Sequence, residues 1–440
     1  MSSEFETRLE RRVRDWAESS DREFDAHALT RAAVDAGAAQ YGGSFGFRRL
    51  RSAGRPHLAS AWLLLLIGLL LTLAVGIFVV GALLRDSDRP LARNGLIAYS
   101  VGSVFSNPNG PIHLMNPDGS DDRIVGFGTC PRFTSDGTKL IYRSGSDPTE
   151  YVQGVLTVAS ADGSEARQLD DKSTFAGVLS PDGTKVAELV LVSDEQPARE
   201  IQLRDVGVDP PPGTLGEVLV PARPDGDHSY QSLTWSPDGR SIAFAVMKQV
   251  DRGDTTSESR VEVNVVDVAS GQVTTVSKRP GAYSMPLSWS PDSSEIAYLG
   301  LADGAAPPVL PPTGQAPSEI GERIFTVGAD GSGDRQRSER SEQYVGLAWS
   351  PDGNSIAFEY FEPPQLTFGV LEIQDDSLRT RATSTQVRLQ GWSPDSSTLL
   401  LSGIEPAAVM LLPANLASDP ETITTSDERL DCVSWQAVPR

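Results

Sequence analysis

Six near-copies of one short pattern limit what this chain can fold into more than any other feature. The fullest copy is Trp235-Ser236-Pro237-Asp238-Gly239 followed by Ile242-Ala243-Phe244. Others are Trp289-Ser290-Pro291-Asp292 with Ile296-Ala297-Tyr298, Trp349-Ser350-Pro351-Asp352-Gly353 with Ile356-Ala357-Phe358, and Trp392-Ser393-Pro394-Asp395 with Leu399-Leu400-Leu401. Two weaker copies precede them, Phe133-Thr134-Ser135-Asp136-Gly137 before Leu140-Ile141-Tyr142 and Leu179-Ser180-Pro181-Asp182-Gly183 before Val186-Ala187. Proline presets the turn backbone and glycine supplies a positive φ, so each copy predicts a tight hairpin between two apolar strands. Such a unit recurring every few dozen residues predicts an all-β ring of blades, a β-propeller.

The two ends of the repeat region are complementary. Ile97-Ala98-Tyr99 opens it with no turn motif ahead, and Cys432-Val433-Ser434-Trp435-Gln436 closes it with no second strand behind. The last strand is therefore expected to enter the first blade as its innermost strand, which hides both sheet edges. Anchors at Phe133, Leu179, Trp235, Trp289, Trp349, Trp392 and Trp435 then mark seven inner strands and seven four-stranded blades, with six as the alternative count. Outer hairpins are legible too, as in Ile112-His113-Leu114-Met115 leading to Asn116-Pro117-Asp118-Gly119. Large aromatic rings held in register in every blade read as blade-to-blade packing rather than as a ligand cage.

On these motifs residues 95–440 resemble the TolB-like, WD-like propeller family with its Pro-Asp-Gly repeat. The resemblance implies the fold; it leaves function open, because members range from envelope scaffolds to the non-catalytic propellers of peptidases. Ser293 and Ser396 depart from the pattern by replacing the turn glycine. Extra residues at 209–213, 251–259 and 307–317, rich in proline or polar residues, are expected to project as loops. Cys130 and Cys432 each stand three residues before an anchor on adjacent inner strands. Outside the cytoplasm such equivalent heights favour a disulfide stapling the closure, with buried free thiols as the alternative.

Ahead of the repeats, residues 1–57 read as a cytoplasmic helical tail and basic linker, with Phe5, Leu9, Val13 and Trp16 at helical spacing. Helices this short need support, so the tail is either a marginal appendage or a docking element for a cytosolic partner. No charged residue occurs in 58–84, 27 residues that exceed the ~30 Å hydrocarbon core at ~1.5 Å each and predict a transmembrane helix. Gly68, Thr72 and Gly76 form a small-residue row that could pack helix on helix. Arg48, Arg49, Arg51 and Arg55 crowd its leading side, whereas Arg85 and Arg89 alternate with Asp86 and Asp88 in the linker 85–94. That bias predicts a single-pass membrane protein with its N-terminus cytoplasmic and the propeller extracytoplasmic.

Charge narrows the partners. The chain carries 38 basic and 59 acidic residues, a net −21, and residues 1–57 are nearly neutral, so the acidity lies on the rest. Nucleic acid is excluded as a partner of so acidic a surface. Scarce Lys beside abundant Arg, Ala and Gly fits a GC-rich bacterial source.

Chemistry is hard to find in the sequence. Gly42-Gly43-Ser44-Phe45-Gly46 matches the serine-hydrolase elbow in letters, but it sits in a linker without the strand and helix that elbow needs. His27, His57, His113 and His228 lack a second His or Cys at ligand spacing, and the Asp118-Gly119-Ser120-Asp121-Asp122 turn lacks a full calcium loop. No hydrolase domain is expected after the closing strand. The expectation is a protein without cofactor, metal or enzyme activity: a membrane-anchored envelope propeller that binds a protein or ligand at a face or mouth built from the loops at 209–216, 251–259 and 305–317. Two other readings stay open, a transmembrane regulator similar to anti-sigma factors and, against the lack of a convergent nucleophile and base, a propeller enzyme.

Overall fold

Each turn motif folds through the same small set of hydrogen bonds. The Ser180 hydroxyl donates to Asp182 Oδ1 at 2.6 Å and accepts the Lys185 N–H at 2.9 Å, while Asp182 Oδ1 also accepts the Thr184 N–H at 3.1 Å. Thr134 with Asp136, Ser236 with Asp238, Ser290 with Asp292, Ser350 with Asp352 and Ser393 with Asp395 repeat the hydroxyl-to-carboxylate bond. Serine and aspartate thus satisfy backbone donors that a tight turn would otherwise strand.

This computed structural model describes residues 91–439 apart from the internal stretches 103–108, 145–154, 169–175, 192–198, 207–215, 223–227, 252–256, 281–285, 303–308, 311–320, 340–341, 363–364 and 384–385. The helical tail, the apolar span 58–84 and most of the linker 85–94 lie outside the described residues. No helix long and apolar enough to cross a membrane occurs among the described residues.

The hairpins assemble into seven antiparallel sheets. Blade 1 runs, from inside outward, Leu430–Val438, Arg93–Val101, Pro111–Met115 and Arg123–Phe127. The C-terminal strand is therefore the innermost strand of the first blade, with Ile97 opposite Trp435 and Tyr99 opposite Val433. Blades 2 to 7 begin with the inner strands Thr129–Phe133, Ala176–Leu179, His228–Trp235, Ser288–Trp289, Gln343–Trp349 and Gln386–Trp392. His228 opens the inner strand of blade 4, whose pairing with Ser241–Asp251 runs well past the turn motif.

Seven apolar clusters fill the seven seams, one between each pair of neighbouring blades. In the seam between blades 4 and 5, Trp289, Ile296, Tyr298 and Phe325 pack on Ala243, Ala245, Val263 and Val265. Fully burying one such large side chain is worth about 1.5–3 kcal/mol, so the seams hold the ring together.

Polar staples set the register of blade against blade. The indole N–H groups of Trp235, Trp289 and Trp392 donate to the carbonyls of Val178, Thr234 and Ala348, each the residue before the preceding blade's anchor. At two anchors without this bond, the anchor's own N–H reaches a serine hydroxyl at that same place: Phe133 to Ser434 at 3.1 Å and Trp349 to Ser288 at 2.8 Å. On the rim, Arg337 and Arg381 donate to Ile373 and Leu416 carbonyls of the next blade.

The two departures from the turn motif are explained by the same logic. Ser293 and Ser396 adopt positive φ, 64° and 62°, as the replaced glycine would. Their hydroxyls accept the N–H groups of Asp238 and Asp352, at 3.1 and 3.0 Å, in the turns of the preceding blades. A left-handed non-glycine residue costs about 1–2 kcal/mol and a hydrogen bond returns about 1 kcal/mol, so the terms nearly cancel. Ser293→Gly is accordingly expected to leave the unfolding midpoint almost unchanged, while Ser293→Ala, which loses the bond and keeps the strain, lowers stability by about 1 kcal/mol. Denaturant unfolding of the two variants side by side checks this.

Candidate functional site

Strand direction sorts the connections onto two faces. Every inner strand runs toward the Ser-Pro-Asp turns, so these turns and the third-to-fourth-strand turns share one face, the turn face. Second-to-third-strand connections and the crossings between blades emerge on the other, the loop face. This corrects the expectation that 209–216, 251–259 and 305–317 build one site. The first connects strands Arg199–Asp205 and Glu217–Val220 and so leaves from the turn face, while the other two leave from the loop face.

Nor are the loop-face insertions wholly loops. Strands Ser241–Asp251 and Ser257–Asp267 extend well past the neighbouring blades, and Val309–Leu310 from the blade 5 insertion pairs with Glu258 and Ser257. Pairing satisfies backbone groups that an open edge would leave to water.

On the turn face, a cavity of about 500 Å³ lies over blade 3, bounded by the turns of blades 2, 3 and 4. Asp136, Asp182, Asp238, Pro181, Lys185 and the edge of Trp235 line it. Hydrogen bonds from the Ser180 hydroxyl hold Asp182 below the usual carboxylate range. Asp136 is also held low, because bonds from Thr134 and Thr138 outweigh burial. Lys185 pairs with Asp205 at 2.7 Å, and the Lys139 ammonium donates to the Gly183 carbonyl at 2.9 Å. The rim is therefore anionic, suited to a cationic or hydrogen-bond-donating group rather than to another acid.

The seam below this cavity, between blades 2 and 3, differs from the rest. Its anchor is Leu179, and Glu188 stands where blades 4, 5 and 6 place Phe244, Tyr298 and Phe358. Glu188 is 2% exposed and accepts Arg204 Nη2 at 2.6 Å. Its charge also stabilises the Arg143 guanidinium, which burial and the nearby Arg132 push the other way. Sequence reasoning missed this cluster; the signal was a carboxylate at an aromatic position of the repeat.

Two other polar groupings are struts. Tyr99 donates to Asp122 at 2.5 Å and stacks on His113, whose Nδ1 lies 2.8 Å from the same carboxylate. Blade 5 repeats the arrangement with Tyr298, Phe325 and Asp334, so an imidazole is not needed for it. Burial, reinforced by the carboxylate, pushes both phenols up. Asp118 Oδ1 accepts the Ser120 N–H and hydroxyl, the bonds of a turn. Among the described residues no group of three or more His, Cys, Asp or Glu side chains could hold a metal ion.

The remaining sequence candidates fall as follows. Cys130 and Cys432 are joined by a disulfide, S–S 1.98 Å, between the first and last inner strands in chain order. Trp235, Trp289 and Trp349 are buried in their seams, and Phe133, Leu179, Trp392 and Trp435 are partly buried against theirs. Ser44, His27 and His57 lie outside the described residues.

Glu322 opens the third strand of blade 5 on the loop face, where its backbone pairs with Glu342 of blade 6 at 3.1 Å. The side chain is 2% exposed, and burial pushes its pKa from 4.5 up to about 9. Folded protein thus keeps a proton that the unfolded chain releases, so stability falls as pH rises from about 4.5 to about 9. Glu322→Gln is expected to raise the unfolding midpoint at pH 8 and to leave it little changed at pH 4, read by thermal unfolding at both.

No family model matches the chain, and no curated protein does. Among solved structures, it is similar to TolB from Acinetobacter baumannii at 13% identity, covering 79% of this chain and 67% of that one, TM-score 0.44. A structure from an analysis of two prolyl endopeptidases matches at 13% identity over 77% of this chain and 49% of that one, TM-score 0.53. The tricorn protease matches at 14% over 78% and 36%, TM-score 0.50. This chain thus spans about half or less of either protease. The proteases correct the expectation that the chain is not an enzyme: the same ring occurs within enzymes, so the fold gives no ground for excluding activity, and at such distance it gives none for assigning it. The seven-bladed ring agrees with the TolB-like resemblance carried by the Ser-Pro-Asp-Gly turns, and the solved structures similar to it include TolB proteins.

Proposed function

We propose that this protein is a single-pass component of the bacterial cell envelope whose propeller, held outside the cytoplasm, binds a protein or ligand on the turn face over blade 3. The observation that carries the location is the Cys130–Cys432 disulfide, since such bonds persist in oxidising compartments and are rare where glutathione keeps thiols reduced. The uncharged stretch 58–84 and the arginines ahead of it point the same way. For binding, the support is the cavity framed by three ordered turns, whose carboxylates are fixed by their own hydrogen bonds and need no rearrangement to receive a partner.

A membrane-impermeant thiol reagent on intact cells tests the location. The expected result is no labelling of Cys130 or Cys432 until a reductant is added, and then labelling without lysis of the cells. Labelling that needs lysis but no reductant would place the domain, with free thiols, in the cytosol and end the proposal.

A further inference from the structure

We infer that the ring opens at one seam, that between blades 2 and 3, which parts from the loop face while its turn-face end acts as the hinge. This concerns movement within the ring and stands apart from the proposed location and from binding at the turn-face cavity.

Three seams show what the repeat ordinarily supplies. Toward blade 3, blade 4 presents Trp235, Leu233, Phe244 and Val266. Blade 5 presents Trp289, Leu287, Tyr298 and Val327 toward blade 4, and blade 6 presents Trp349, Leu347, Phe358 and Leu371 toward blade 5. At the same four places blade 3 has Leu179, Gly177, Glu188 and Arg204. An indole is thus exchanged for a smaller side chain, a leucine for none, and an apolar pair for the ion pair of Glu188 with Arg204 at 2.6 Å. Among the described residues the apolar cluster of this seam, Ile141, Leu156, Val158, Val186 and Val206 beside Leu179, holds no aromatic ring, whereas each of the other six clusters holds at least one. Apolar area removed from water is what binds blade to blade, so this seam has the least to lose by parting.

The fixed contacts of the seam are unevenly placed. Leu179, Val186 and Val206 lie next to the turns, where Lys139 donates to the Gly183 carbonyl at 2.9 Å and Arg167 donates to the Val206 carbonyl. Toward the loop face the seam receives Arg143 from blade 2 and Glu188, Glu200 and Gln202 from blade 3. Gln202 is 1% exposed; its amide donates to Glu200, and its Oε1 has no partner. Water entering this half would supply that missing hydrogen bond and return hydration to the Glu188–Arg204 pair, which offsets the apolar contacts given up. The closing seam of blades 7 and 1 has no such weakness at its inner strands, where the Val433 N–H donates to Gln390 Oε1 at 3.2 Å and Asn94 donates to Asp395 at 3.0 Å.

The experiment is hydrogen exchange of the full chain in detergent micelles, read by mass spectrometry and corrected for intrinsic rates. Amides of Lys139–Ser144 and Lys185–Leu191, the second strands of blades 2 and 3, are expected to exchange roughly tenfold faster than those of Glu295–Leu301 and Ser355–Glu362, the same strands of blades 5 and 6. Glu188→Phe combined with Arg204→Val gives blade 3 the residues of blade 4 and is expected to remove the difference. Gly177→Ala, whose added methyl would meet Glu188 and Val186 at an ordinary 3.5 Å, is expected to narrow it, and decides the matter should the double variant fail to fold. The inference is overturned if the wild-type blades exchange alike, or if Arg93–Val101 of the closing ladder exchanges fastest. It is overturned equally if the folded variants leave the difference unchanged or slow every blade to the same extent, since the seam would then report global stability alone.

Discussion

Everything in this fold depends on one antiparallel ladder, that between Leu430–Val438 and Arg93–Val101. A ring of blades stacked seam on seam has no natural end, and without this ladder blades 1 and 7 would each present an unfilled face and the inner strand of blade 1 would be missing. The surrounding contacts converge on the same place. Gln436 accepts the Leu96 N–H and donates to the Gly137 carbonyl, Asn94 bonds Asp395, and the disulfide ties Cys432 to Cys130. Gly137 shows how close the approach is: a β-carbon there would sit 1.8 Å from the Ala437 carbonyl oxygen. Closure therefore joins chain positions more than 300 residues apart, the separation of the two cysteines being 302.

The ring was legible because its signal is local and repeated. Ser180, Asp182 and Gly183 make a turn from residues within five positions of one another, and six copies of that turn together with the closing strand fix the count of seven inner strands. Complementary chain ends, Ile97-Ala98-Tyr99 and Ser434-Trp435, made the closure readable as well. What escaped is whatever depends on partners far apart in sequence. Nothing near Ser293 announces that its hydroxyl meets Asp238, 55 residues away. Likewise Val309–Leu310 sits among proline residues that favour a loop, and it becomes a strand because Ser257 and Glu258 offer it an edge. The insertions were read as neighbours from composition alone, whereas strand direction alone decides which face each leaves from.

The candidate sites were less legible than the ring for the same reason. Repeats report what every blade shares, and function resides in what one blade does differently. Blade 3 is that exception: Leu179 replaces an aromatic anchor, Glu188 replaces an aromatic strand residue, and both the turn-face cavity and the arginine cluster adjoin it. Trading apolar packing for an ion pair gives little stability, because desolvation offsets most of the attraction. A seam built that way gives up cohesion that its neighbours keep, which is the pattern expected where binding has been favoured over packing.

The closing ladder is the claim on which the rest stands, and removing it is the most direct test. A chain ending at Arg429 lacks the strand Leu430–Val438 and with it the disulfide. Calorimetry of this truncated protein beside the full chain is predicted to show loss of the single cooperative unfolding transition of the propeller. An unchanged midpoint and unchanged cooperativity would mean that the ring stands without its last strand, and would contradict the account.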